Sequence, residues 1–301
     1  MKKALFIVGP TSVGKTDLAF KLSSVVPSVL ISADSVQVYK GADIISGKDK
    51  TFPTQLLDIV DPTGQFSVRN FVQLVRPIVK KAYDEQKIPI FVGGTGFYVD
   101  ALFGKIDTIN VSPDFKLRAE LDKLTVKELQ QKLKELNPVR FKKMNNSDIN
   151  NKRRLNRAIE VAQAQGPTLG MSGYVFKQGE VLVIGLETSR ADLKKRIVKR
   201  VEERLKAGAI DEAKRLFRDY GKLSSQLKTA NGYKELFDYL TGKTTFEEAK
   251  ERWVIVETTT AKNQMTWFRH NKNITWFDIG QKGFEEDVLR LLFKTFTRIV
   301  D

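Results

Sequence analysis

Residues 4–16 read ALFIVGPTSVGKT, and the fold follows from how that stretch is divided. The apolar run ALFIVG (4–9) has a strand's length and no alternation, the pattern of a strand covered on both faces. It stops at Gly9-Pro10. A helical pattern opens near Lys15 and turns Leu18, Ala19 and Leu22 to one side. Between them, GPTSVGKT (9–16) matches G-x-x-x-x-G-K-[ST] at the strand-to-helix junction the motif requires. In that setting backbone amides at a helix N-terminus surround phosphate oxygens, Lys15 adds a cation, and Thr16 offers a hydroxyl to Mg²⁺. The candidate phosphate-binding residues are Gly9, Pro10, Thr11, Ser12, Val13, Gly14, Lys15 and Thr16.

Outward from this motif the strand signature returns in SVLISAD (28–34), KIPIFVGG (87–94), VLVIGLE (181–187) and ITWFD (274–278). Helical patterns lie between them, at about 68–86, 190–220 and 245–269, and a closing helix follows the last strand. Alternation of this kind gives a parallel α/β sheet. From about Ser112 the texture becomes helical and charged, with helix formers at 116–136 and 151–165, until the Gly/Pro-rich QGPTLGMSG (165–173) breaks it. The expected organisation is a core of residues 1–111 and 179–301 with a helical insertion at 112–178.

Composition removes several chemistries. Among 301 residues there is no cysteine and one histidine, His270, so disulfides, Cys-ligated metals and most His-based schemes are excluded. No apolar stretch reaches a membrane span, and a soluble, cytoplasmic monomer is expected. The net charge of +15 is uneven: residues 1–110 carry 13 Lys/Arg against 10 Asp/Glu, and the remainder holds 38 against 26. A basic C-terminal part suits a polyanionic partner, although a merely basic surface would carry the same charge.

A P-loop specifies a bound phosphate group, not a reaction. Motor-type ATPases end a core strand in an acid, whereas IPIFVGGT ends in Gly93-Gly94-Thr95. SVLISAD does end in one, Asp34, which on sequence alone is open to three roles: a magnesium-associated acid, a helix N-cap, or a general base.

Taken in order, GPTSVGKT (9–16), ISADSVQVYKGADI (31–44), LLDIVDP (56–62), FSVRNF (66–71), VGGTGFYVDAL (92–102), NKRRLNRAIEV (151–161), RIVKRVEERLKAG (196–208), NGYKEL (231–236) and AKNQMTWFR (261–269) resemble the tRNA dimethylallyltransferases over nearly the whole chain. The resemblance implies a P-loop nucleotide-kinase-like parallel sheet whose helical insertion clamps the tRNA anticodon stem-loop. It implies transfer of the dimethylallyl group of dimethylallyl diphosphate to N6 of adenine 37 of tRNA, with Mg²⁺. Asp34 would be the base, and Lys15, Thr16 and Arg200 would serve the diphosphate. RNA contacts would come from Asp34, Ser35, Val36, Gln37, Thr95 and Arg118, from Arg153, Arg154 and Arg157, and from Lys262, Gln264 and Arg269. Trp267 and Phe268 are expected in the core. The nearest alternatives are an adenylate isopentenyltransferase acting on free AMP, ADP or ATP, which needs no large basic insertion, and a P-loop small-molecule kinase.

Overall fold

The computed structural model describes residues 3–164, 174–177 and 179–296; the break read at 165–173 and the insertion's far limit at 178 lie outside the described residues. The chain forms two compact units, Met1–Phe103 with Tyr174–Asp301, and Gly104–Gly173.

The larger unit is built on one six-stranded sheet. Its strands are β1 (Ala4–Val8), β2 (Ser28–Ser32), β3 (Thr54–Gln55), β4 (Ile88–Val92), β5 (Val181–Glu187) and β6 (Ile274–Asp278), in spatial order β3-β2-β4-β1-β5-β6. Every pairing is parallel, with Leu5 opposite both Ile90 and Leu182. β3 has no apolar run and was not expected; two residues, Thr54 and Gln55, pair with Leu30 and Ile31 at the sheet edge. α1 (Lys15–Ser23), α2 (Val68–Asp84) and α3 (Gly96–Leu102) follow the first strands.

Both sheet faces are covered, which is why the strands read as unbroken apolar runs. On one face Leu5, Ile7, Ile90 and Ile184 pack with Leu18 and Leu22 of α1 and with Val288, Leu292 and Phe296. On the other, Phe6 stacks on Phe91 at 4.5 Å and both meet Phe176 edge-on. Each such side chain, fully buried, contributes about 1.5–3 kcal/mol of transfer free energy.

The smaller unit holds α4 (Phe115–Leu121), α5 (Val126–Leu136), α6 (Pro138–Lys143), α7 (Asn146–Ile149) and α8 (Lys152–Gln163). The helix formers at 116–136 make two helices, because Thr125 starts a new one: its hydroxyl accepts from Glu128 N while Glu128 Oε2 accepts from Thr125 N. Leu121, Leu129, Leu133, Leu155 and Ile159 form this unit's own core. Residues 108–111 join it because Arg157 Nη2 donates to Thr108 O and Val111 O, both at 2.8 Å.

Back in the larger unit come α9 (Arg190–Lys206), α10 (Ala209–Phe217), α11 (Ser225–Lys228), α12 (Tyr233–Leu240), α13 (Phe246–Arg269) and α14 (Phe284–Phe296). The helices expected at 190–220 divide at Gly208, whose φ of +101° no helix interior accepts. Among the described residues no helix is long and apolar enough to cross a membrane.

Candidate active site

A cavity of about 670 Å³ opens at the carboxyl ends of β1, β2 and β4, where chain order along the sheet reverses. Open α/β sheets bind ligands at that edge, because successive loops diverge there and leave a crevice. The P-loop forms one wall. Gly9 packs so closely on the carbonyl of Leu186 that a Cβ would overlap it, and Gly14, at φ +84°, turns the chain into α1. Lys15 Nζ donates to Pro10 O at 2.5 Å. Burial, then the neighbouring Arg200 charge, lowers the Lys15 ammonium to about 7, against the opposing pull of Asp34 and Glu257.

Asp34 follows β2 into the same cavity. Its Oδ1 accepts from Val36 N at 2.8 Å and Gln37 N at 3.3 Å, so this carboxylate does cap a turn. Its Oδ2 makes no hydrogen bond among the described residues. Thr95, after β4, accepts from Ser35 N at 3.4 Å and thereby joins the two loops. Gln37 points inward, accepting from Ser32 Oγ at 2.9 Å and donating to Gly47 O at 3.4 Å.

α13 and α9 close the cavity from the helical side. Gln264 is a strut: its Oε1 accepts from Thr11 N at 2.8 Å, and its Nε2 donates to Gly94 O at 3.1 Å. Arg200 Nη1 donates to Thr11 Oγ1 at 3.2 Å. One turn further along α9, Arg204 donates to Glu257 Oε1 at 3.2 Å, and Trp253 Nε1 reaches the same oxygen at 3.4 Å. Burial, then Arg200, lowers Arg204 to about 10, with Glu257 opposing.

In the smaller unit the four expected arginines do different things. Glu160 is buried and accepts from Asp114 N, from Arg118 Nε at 3.0 Å and Nη2 at 2.8 Å, and from Arg157 Nη1. Burial alone would raise its carboxyl, but these donors outweigh it and hold the group below its ordinary value. Arg118 and Arg157 are thus committed within the unit. Arg154 pairs with Asp148. Arg153 is exposed and has no partner among the described residues.

Similarity to known proteins extends over nearly the whole chain. The family model described as IPP transferase matches residues 37–271, and one described as isopentenyl transferase matches residues 2–58. A tRNA dimethylallyltransferase of Halalkalibacterium halodurans is 35% identical over 303 residues, covering 96% of this chain and 95% of the relative. The chain belongs to the IPP transferase family. Among solved structures, the full-length tRNA isopentenylpyrophosphate transferase of Bacillus halodurans matches at TM-score 0.72 and 34% identity, over 99% of this chain and 98% of that one. A eukaryotic dimethylallyltransferase acting on tRNA matches at TM-score 0.79 and 25% identity, over 98% of this chain and 79% of that one.

Within this family member the cavity gathers Thr11, Ser12, Gly14, Lys15, Thr16, Asp34, Ser35, Val36, Gln37, Thr95, Arg200 and Gln264 of the residues expected from sequence. Lys262 and Arg269 are not among its lining residues: Lys262 is exposed, and Arg269 pairs with Glu187 and covers the Trp276 ring at 4.8 Å. Of the pair expected in the core, Phe268 is buried, whereas Trp267 is 42% exposed and donates to Asp100 Oδ2 at 2.9 Å. Its ring lies against Gly96, where a Cβ would collide with it, so the indole is a surface brace for α3. Sequence reasoning missed Gly47, Arg204 and Glu257. A signal was present: Arg196, Arg200 and Arg204 recur every four residues, one face of a helix, and all three line the cavity.

Proposed function

We propose that the chain transfers the dimethylallyl group of dimethylallyl diphosphate to N6 of adenine 37 in tRNA, releasing diphosphate. The observation that carries this reading is the single cavity in which a P-loop, a strand-end carboxylate and Thr95 face one another. The family, and relatives named for that reaction over nearly the whole chain, support it. As the allylic C–O bond breaks, its electron pair leaves with the diphosphate. The P-loop amides, Lys15 and Arg200 stabilise that charge where it develops. N6 bonds to the allylic carbon and loses a proton, which Asp34 accepts through the oxygen not engaged in capping.

The donor set suits magnesium held mainly through substrate phosphates: the Thr16 hydroxyl and the Asp34 carboxylate share the cavity, while no cluster of three or more His, Cys, Asp or Glu among the described residues forms an all-protein cage. Bound there beside Thr16, the ion would neutralise diphosphate charge. On the adenine side, Ser35, Val36 and Thr95 receive a base turned out of its stack, since N6 inside a stack is out of reach. Arg153 and Arg154 meet tRNA phosphates on the smaller unit.

An adenylate isopentenyltransferase would share the first 58 residues' match, but the full-length likeness to tRNA-acting enzymes favours tRNA. The test is to incubate the protein with labelled dimethylallyl diphosphate and either unmodified tRNA or AMP. Label in tRNA alone is expected, and Lys15→Ala or Thr16→Ala should lose most of it while keeping the native melting temperature. Label in AMP, or normal turnover in both variants, overturns the reading.

A further inference from the structure

Arg200 and Arg204 sit one turn apart on the same face of α9, and both Nη2 atoms occupy the space beside Gly47 that a Cβ there would need. Two guanidiniums so placed repel each other, and Glu257 lines the same cavity. Arg204 already holds that carboxylate, and the Trp253 indole donates to the same oxygen. The seat is equally fixed. Gly47, at φ +66°, lies in a loop whose Asp43, Ile44 and Ile45 amides all donate to buried Glu212, at 2.9, 2.7 and 3.0 Å. Tyr233 OH adds a fourth hydrogen bond to Glu212 at 2.6 Å. Arg200, by contrast, has one hydrogen bond among the described residues, to Thr11 of the P-loop.

We propose that Arg204 is a positioning residue for the diphosphate end of the site: clamped by Glu257 and seated on Gly47, it keeps Arg200 off that carboxylate and aims the Arg200 fork at the P-loop. Arg204 acts through Arg200 and does not touch the diphosphate. The proposal rests on the reading that this P-loop takes a prenyl diphosphate. It assigns Gly47 a reason to be glycine beyond its backbone angle, because any side chain there would push both arginines out of place.

The experiment measures inorganic pyrophosphate binding with magnesium by calorimetry, and prenyl transfer to unmodified tRNA, on the full chain. Arg204→Met should raise the pyrophosphate Kd and the KM for dimethylallyl diphosphate about tenfold, with kcat within about threefold and the KM for tRNA unchanged. Because that variant strands the Glu257 charge and leaves it free to draw Arg200, Arg204→Met with Glu257→Leu is made alongside; with the competing carboxylate gone, the pyrophosphate Kd should return to within about threefold of native in a chain of native melting temperature. Arg200→Ala with Arg204→Met should bind pyrophosphate no more weakly than Arg200→Ala alone, since a residue acting only through Arg200 has nothing left to act on. A native Kd in Arg204→Met, a tenfold loss that persists when Glu257→Leu is added, or losses that add fully with Arg200→Ala, would overturn the proposal. If Lys15→Ala binds pyrophosphate as tightly as the native chain, the diphosphate reading itself falls and this proposal with it.

Discussion

Replacing Glu160 by Gln should cost the smaller unit about 3 kcal/mol without touching the cavity residues. The carboxylate is 2% exposed as a side chain and serves four donors from three residues, so the substitution leaves two arginines facing an amide that presents its own hydrogens. Removing one partner of a buried ion pair costs about 3–5 kcal/mol. The lower end applies, because the Arg118 and Arg157 side chains are 35% and 28% exposed and regain water. Amide exchange in α8 under native conditions measures it: about 3 kcal/mol is roughly a hundredfold loss of protection. The pH dependence has a fixed sign. A carboxyl held below its ordinary 4.5 in the folded state stabilises at neutral pH, and that contribution is lost as pH falls from about 4.5 through the depressed value. Glu160→Gln should remove this acid limb. Protection in α8 within a few-fold of native, with the acid limb intact, would refute the network as the unit's clasp.

Other outcomes follow from the same geometry. Asp34→Asn keeps an Oδ1 to accept from Val36 N and Gln37 N, so melting temperature and pyrophosphate affinity should hold while single-turnover transfer falls about 10²-fold; an intact rate refutes the base. Weakened pyrophosphate binding restored by extra magnesium would instead make Asp34 a metal-associated acid. Arg153→Ala should weaken tRNA binding and reduce the slope of log K against log salt by about 0.9 at unchanged stability, whereas Arg157→Ala should lose binding together with α8 protection. Gly94→Ala places a methyl group on the Gln264 amide and should part the P-loop from the β4 loop, lowering transfer more than pyrophosphate affinity; equal losses in both would show that the strut serves only the P-loop.

The sheet was legible because two-sided burial writes itself as apolar runs in β1, β4 and β5 and in the inner end of β2, while the edge strand β6 (ITWFD), with Ile274 alone buried, shows itself by its β-branched and aromatic residues. β3 was not, since two edge residues take their pairing from β2 and need no pattern of their own. Where the helical stretches divide, local signals mark the break: T-V-K-E at 125–128 is a capping box, and Gly208 takes a left-handed φ. The site was legible wherever chemistry depends on backbone, as in GPTSVGKT, or on a residue at a strand end, as with Asp34. It was illegible wherever a side chain's task depends on a partner distant in sequence. Arg118, Arg153, Arg154 and Arg157 look alike as basic residues near one helix, yet a single buried carboxylate separates two that hold the fold from those that face solvent. Gln264 reads as an RNA contact until Thr11 and Gly94 are seen at its two ends. A charge or an amide acquires its role from what is already satisfied around it. In this chain Glu160 and Glu257 each engage arginines, and which cations remain for phosphate follows from where those two carboxylates lie.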